Sequence, residues 1–362
     1  MQPHIPRKLP LDTLDWMKFI HLIGKANYEL AQYAGILVGM VNPELLLSPL
    51  STKEAVISSR IEGTQATLED VLKFEASQIK EGAKSEDIRE IINYRKALEH
   101  AVDYLKTRPT CLKLCKEMHY ILLDSVRGRD KGRGEYRTIQ NWIGSPGSPI
   151  EKATYVPPPP DRLMEFLSNL EEYMHYEEKD RLVQLALIHA QFEIIHPFID
   201  GNGRLGRILI PLFLIDKSML KAPVFYISEY IDEHRDIYYD RLSEITKNNN
   251  WESWVEFFLT TIIEQSKNNS KKAKAILDLY DNMKEEVEQK LRSQYSIRTL
   301  DTIFENPIFN TTMFMKKSGI PRASAARILN ILEKSKIVSI LIKGSGKRSS
   351  LMAFEKVLNI VK

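Results

Sequence analysis

His196-Pro-Phe-Ile-Asp-Gly-Asn-Gly-Arg-Leu-Gly-Arg207 is the stretch on which the reading of this chain turns. Gly201 and Gly203 let the backbone bend tightly and bring its N–H groups close to an anion. The apolar run that follows reads as a helix whose positive end points at the same place. Asn202 adds a side-chain donor. Arg204 and Arg207, three apart, share a helix face and can both reach a polyphosphate. Asp200, just before the bend, suits a Mg²⁺ ion carried on phosphates. His196 closes the preceding helical run, which Pro197 keeps from continuing, and an imidazole there can take a proton from an incoming hydroxyl. A G-N-G triplet alone marks many tight turns, and a His before Pro is commonly just a helix end. The joint occurrence of all these positions in one dozen residues carries the reading.

Outward from this stretch, apolar residues three and four apart predict a mainly α protein. Residues 1–15 read as an extended arm punctuated by prolines. Helices are expected over 67–78, 85–107, 111–124, 161–175, 181–195, 204–220, 234–245 and 251–267. A charged, exposed helix over 270–294 is expected to link to the tail. Between them, 128–160 is rich in Gly and Pro. Two β-like runs there, 138–143 and 153–156, predict a small hairpin that Pro157 to Pro160 bring to a stop. The tail predicts helices over 296–305, 311–318 and 322–335, then strands over 337–342 and 350–354. That is the order of a winged helix-turn-helix. The expected division is an N-terminal helical module (1–110), a catalytic domain (111–268), a linker helix (269–294) and a winged-helix domain (295–362).

The string 196–207 matches the signature H-P-F-x-x-G-N-G-R-x-x-R of the Fic family at every specified position, and the chain resembles that family over roughly residues 1–265. Gly134-Glu-Tyr-Arg-Thr-Ile-Gln-Asn-Trp-Ile-Gly144 is similar to the segment leading into the family's flap. Ser58-Ser-Arg-Ile-Glu-Gly-Thr-Gln-Ala-Thr67 is similar to its N-terminal module. The resemblance implies a Fic-type helical bundle that transfers AMP from ATP to a protein hydroxyl (Ser, Thr or Tyr), on a target or on itself. His196 would be the base and Asp200 the Mg²⁺ ligand. Gly201, Asn202 and Gly203 would form the anion hole, with Arg204 and Arg207 on the outer phosphates. Pro197 and Ile199 would line the loop, and Phe198 would anchor it in the core. Some relatives transfer phosphate, UMP or phosphocholine instead; the intact motif makes AMP the default.

Ser58-x-x-x-Glu62-Gly63 matches the family's inhibitory pattern [S/T]-x-x-x-E-[G/N], and the spacing of four places Ser58 and Glu62 on one helix face. The resemblance implies that Glu62 pairs with Arg207 and turns ATP into a non-productive pose. Thr154, Tyr155 and Val156 would form the flap edge that borders the nucleotide and docks an extended target segment. Tyr230, His234, Tyr238 and Tyr239 are spaced to share a face. Tyr238 and Tyr239, with His234, are the candidates for the base, although aromatic stripes are usually core. His189 reads as a structural histidine.

Charge is divided unevenly. From 296 to 362 the chain holds 12 Lys+Arg against 4 Asp+Glu, a surplus of +8 in a chain whose total is +3. Arg322 and Arg327 on the expected recognition helix, and Lys343, Lys347 and Arg348 in the wing, suit phosphate or base contacts with DNA. The competing class is therefore a DNA-binding regulator whose Fic domain only senses nucleotide. The first 16 residues hold no signal-like apolar run, and no window is long and apolar enough for a membrane helix. The expectation is a cytoplasmic chain without a membrane partner that works alone or as a homodimer. Its two cysteines, Cys111 and Cys115, are expected to be thiols.

Overall fold

The computed structural model describes residues 2–77, 84–124, 131–145, 147, 149–345 and 349–362. Helices α1 (Ile20–Val38), α2 (Pro43–Leu46), α3 (Ser48–Ile61), α4 (Leu68–Ser77), α5 (Ser85–Leu105) and α6 (Leu112–Leu122) come first. Then follow α7 (Leu163–His175), α8 (Arg181–Ile195), α9 (Asn202–Asp216), α10 (Ser228–Glu233), α11 (Arg235–Asn248) and α12 (Trp251–Leu291). The tail runs α13 (Ser296–Glu305), β1 (Ile308–Asn310), α14 (Thr311–Ser318), α15 (Arg322–Lys334), β2 (Ser339–Ile342), β3 (Leu351–Ala353) and α16 (Glu355–Val361).

The core is built on α8 and α9, which are apolar nearly all round and therefore buried nearly all round. Asp180 starts α8 by accepting from the N–H groups of Leu182 and Val183, the side-chain cap a buried helix start needs. α12 runs along α1, α8, α11 and α13, and the Trp254 indole N–H donates to the Ala186 carbonyl at 2.8 Å. α3 and α6 pack on α5, which also lies against α9.

The structure corrects several expectations. Residues 251–291 form one helix, and its second half is no exposed linker. Ala273, Ile276, Met283, Val287 and Leu291 are buried, because α12 keeps a continuous apolar stripe against which other helices pack. The expected hairpin is a single antiparallel bridge, Ile143 with Tyr155. Four successive prolines follow at once, and they can donate no further ladder bonds. The tail's strands form a three-stranded antiparallel sheet in the order β1-β3-β2, with Phe309 opposite Met352 and Ile340 opposite Met352. β1 and α16 were not anticipated. A three-residue strand is too short to show a period in sequence, and it is stabilised by distant partners. The Asn310 amide donates to the Ala76 carbonyl, and Leu72, Ala76, Ile308, Leu351, Ala353 and Leu358 make a small apolar cluster between α4 and the sheet. Cys111 and Cys115 are both free thiols. Among the described residues no helix is long and apolar enough to cross a membrane.

Candidate active site

α8 ends at Ile195, and His196 turns the chain in a left-handed conformation (φ 48°, ψ 60°), a strained backbone for a residue with a side chain. His196 Nδ1 lies 3.3 Å from the Glu193 carbonyl. A carbonyl only accepts, so Nδ1 carries the proton and Nε2 keeps its lone pair. Burial lowers the His196 pKa to about 4. The ring is therefore neutral at pH 7 and able to accept a proton.

Buried side chains hold the turn from behind. Arg137, 3 % exposed, donates from Nε to the His196 carbonyl (2.9 Å) and from Nη2 to the carbonyls of Pro158 (2.6 Å) and Ile195 (3.3 Å). The Arg137 N–H donates to the Pro197 carbonyl, and Pro197 is itself buried. The Asn202 amide closes the loop on itself, accepting from the Phe198 N–H (2.9 Å) and donating to the Phe198 carbonyl (2.8 Å). Asn202 therefore shapes the loop, which corrects its expected part as a side-chain donor to phosphate. Asn141 donates to the same Phe198 carbonyl at 3.0 Å. His119 accepts from the Gly134 N–H on Nδ1 (2.9 Å) and so donates from Nε2 to the Asp200 carbonyl (3.0 Å). Burial lowers its pKa to about 4 as well. Phe198 is fully buried, stacked on His119 with centroids 3.8 Å apart. Ile199 is half-buried at the tip of the loop.

Gly201 (φ 79°) makes the bend, and α9 begins at Asn202 with its first-turn N–H groups facing the site. A methyl group on Gly203 would overlap the Glu62 carboxylate, so that carboxylate lies over the very glycine where an anion is expected. Arg207, 1 % exposed, donates from Nε to Ser58 Oγ (2.8 Å) and from Nη2 to the Ser58 carbonyl (2.8 Å) and Glu62 Oε1 (2.6 Å). Burial by itself would raise the Glu62 pKa. The charge and hydrogen bond of Arg207, helped by Arg204 and His196, outweigh it and leave the pKa lowered. Glu62 sits where α3 ends, and its side chain is 33 % exposed. Arg204 pairs with Glu90 (2.9 Å) and with Asp200 (3.3 Å). The Asp200 side chain is 44 % exposed and one of its oxygens, Oδ1, accepts from the Gly201 N–H.

Sequence reasoning missed His119, Arg137, Glu90 and Glu193. His119 and Arg137 bond the loop from distant stretches, Glu90 holds Arg204 and Glu193 lies against Gly206; for the three on helices the one available signal was a polar residue among apolar neighbours. Other candidates are placed differently from expectation. Tyr238 is a core residue, 2 % exposed, whose hydroxyl meets His189 Nε2 at 2.9 Å, so it is turned away from any base. His234 lies between α10 and α11 and stacks on Tyr230, with ring centroids 4.0 Å apart. Tyr239, 43 % exposed, is the ring left facing outward. His189 is buried between the Gly206 carbonyl and Tyr238.

At the flap, the Tyr155 hydroxyl donates to the Ile194 carbonyl at 2.7 Å, and Val156 is buried. Only Thr154 is exposed, and its hydroxyl donates to the Ile143 carbonyl. The His4 N–H of the N-terminal arm takes the Val156 carbonyl. In the tail, Arg322, Arg327 and Lys343 are exposed; Lys347 and Arg348 lie outside the described residues.

The model described as Fic/DOC family N-terminal matches residues 20–103, and that described as Fic/DOC family matches 109–214. Together they span just over half of the chain, which belongs to the Fic/DOC family. A probable protein adenylyltransferase of Aquifex aeolicus (strain VF5) is 34% identical over 23% of this chain and 27% of its own length. The protein adenylyltransferase Fic of Drosophila grimshawi is 28% identical over 43% of this chain and 31% of its own. The chain thus covers about a third or less of these relatives. A crystal structure of a Fic family protein from Desulfovibrio desulfuricans G20 shares the fold over 98% of both chains, with TM-score 0.61 and 18% identity.

Proposed function

We propose that this chain transfers AMP from ATP to a hydroxyl side chain of a target protein or of itself, and that Glu62 holds the reaction off. The observation that carries this is the neutral His196 imidazole, with Nε2 unprotonated, beside a glycine-lined helix start. In the reaction the hydroxyl oxygen bonds to the α-phosphorus and its proton passes to His196 Nε2. The bond from the α-phosphorus to the bridging oxygen breaks, and pyrophosphate leaves with the electron pair. The first-turn N–H groups of α9 stabilise the charge on the α-phosphoryl oxygens.

The site's residues suit a magnesium ion brought with the nucleotide. Asp200 offers one half-exposed carboxylate, which suits a cation otherwise completed by phosphate oxygens and water. When bound it would supply charge neutralisation on the phosphates, with Asp200 as its protein ligand.

The brake works by substitution. Arg207 is the cation a γ-phosphate would need, and Glu62 already holds it while covering Gly203. ATP can then enter only with its phosphates displaced from the helix start. The Thr154 edge is the proposed docking strip for an extended target segment.

For the tail we propose a winged helix-turn-helix, supported by the order helix, strand, two helices and two strands. The exposed Arg322, Arg327 and Lys343 suit a nucleic-acid backbone. They also keep the regulator reading in play. A gel shift with genomic fragments, with and without ATP, separates the two. Salt-sensitive, sequence-selective binding with no AMP transfer would favour a sensor; protein labelled with AMP after incubation with ATP and Mg²⁺ supports the enzyme.

A further inference from the structure

Glu193 is the acid that the site's wiring leaves over. It lies on α8 three residues before His196, one turn behind the base. Its Oε1 is shielded from solvent and has no hydrogen-bond partner, which is costly for a buried polar atom. Several of the donors near it already have partners. His189 uses Nδ1 on the Gly206 carbonyl and accepts at Nε2 from the Tyr238 hydroxyl. Arg207 spends Nε and Nη2 on Ser58 and Glu62. The carboxyl also has a space made for it, because a methyl group on Gly206 would overlap Oε1. Gly206 follows Gly203 by three on α9, so one face of α9 carries Glu62 at one glycine and Glu193 at the next. The charges of Glu193, Glu62 and Arg207 all bear on the Tyr239 phenol. Burial raises the Glu193 pKa to about 7, as expected of a carboxyl with no donor to hold its charge.

We propose that Glu193 reads the nucleoside part of the bound triphosphate, its carboxylate accepting a hydrogen bond from a ribose hydroxyl or from the exocyclic amine of the base. This rests on the nucleotide-binding reading above. A triphosphate anchored at the start of α9 would lay its nucleoside toward Tyr239, where Glu193 is the acceptor that lacks a partner. The other acid, Glu62, is engaged by Arg207. Binding would then satisfy Oε1 and hold the carboxyl in its charged form.

The test uses the full chain carrying Glu62→Gly and measures Kd by calorimetry for ATP, 2′-deoxy-ATP, 3′-deoxy-ATP and purine riboside triphosphate, which lacks the 6-amine. One analogue is expected to bind about tenfold or more weakly than ATP, the size of one hydrogen bond to a charged acceptor. Which one it is identifies the donor. Glu193→Ala should bind ATP about as weakly as that analogue and should no longer tell the two apart, a double-mutant cycle between side chain and ligand. Glu193→Gln, which keeps the shape and a neutral acceptor, should recover part of the discrimination. The proposal is overturned if the parent binds all four nucleotides alike, or if Glu193→Ala weakens every nucleotide equally and keeps the preference. If the parent binds no nucleotide at all, the enzymatic reading itself fails, a result distinct from either of these.

Discussion

The turn at 196–203 and the α3 contact beside it are held in opposite ways. The turn is tied from behind by buried Arg137, His119 and Asn202 and half-buried Asn141, which bond its backbone. None of these bonds has to break for a nucleotide to enter. The α3 contact places one carboxylate on a buried arginine, and that carboxylate stays a third exposed. On the proposed reading, a geometry that must be ready before substrate arrives is built from many buried bonds, and one that must be released from an ion pair with an open side.

That contrast predicts unequal responses to mutation. The largest effect is expected at His119. His119→Ala removes a fully buried ring, its stacking on Phe198 and two backbone bonds, and should cost about 3–5 kcal/mol of stability, read as a lower Tm and loss of nucleotide binding. If it left Tm unchanged, the turn would not be braced as described. At the brake, Glu62→Gly should raise AMP transfer at least about tenfold in a radiolabel assay, with a smaller loss of Tm than His119→Ala because Arg207 keeps its two bonds to Ser58. Glu62→Gln, of the same shape without the charge, should fall between wild type and Glu62→Gly. Equal labelling in all three would remove the brake from the account.

The base gives a pH test. Its pKa is lowered to about 4, so His196 is neutral, and able to take a proton, at every pH above that. It becomes protonated and inactive only as pH falls through about 4. The kcat/KM of Glu62→Gly, corrected for ionisation of the nucleotide, should therefore show no loss through His196 between pH 8 and 5. An acid limb near the ordinary histidine value of about 6.5 would mean that the site does not desolvate the ring. The smallest effect is expected at the flap. Thr154→Ala deletes one exposed hydroxyl bond to the Ile143 carbonyl and should change stability by less than about 1 kcal/mol by denaturant titration.

What the sequence made legible follows the same division. The signature placed the end of α8 at His196, the glycine bend and the start of α9, because a glycine-bent helix start is a local structure coded by neighbouring residues. The resemblance put Glu62 on Arg207, 145 residues away, which spacing alone could not do, and the Ser58 contacts to the same arginine were not anticipated. The bracing was not legible. His119 and Arg137 meet the loop across 81 and 59 residues, and nothing in their local sequence says which carbonyl they reach. Tyr238 misled for a related reason: a period of three and four marks a helix face, while its neighbours decide whether that face meets a pocket or, as here, His189 and Trp254. The helix over 251–291 was divided because its second half is rich in charge, yet its buried stripe runs on without a break.

The central claim is that a neutral imidazole beside a glycine-lined helix start performs nucleotidyl transfer and that Glu62 restrains it. The most direct measurement is intact-mass spectrometry of the chain after incubation with ATP and Mg²⁺, for wild type, Glu62→Gly and Glu62→Gly with His196→Ala. The account predicts a gain of one AMP group or more in Glu62→Gly, less in wild type, and none in the double variant. AMP added to the double variant as readily as to Glu62→Gly would contradict it.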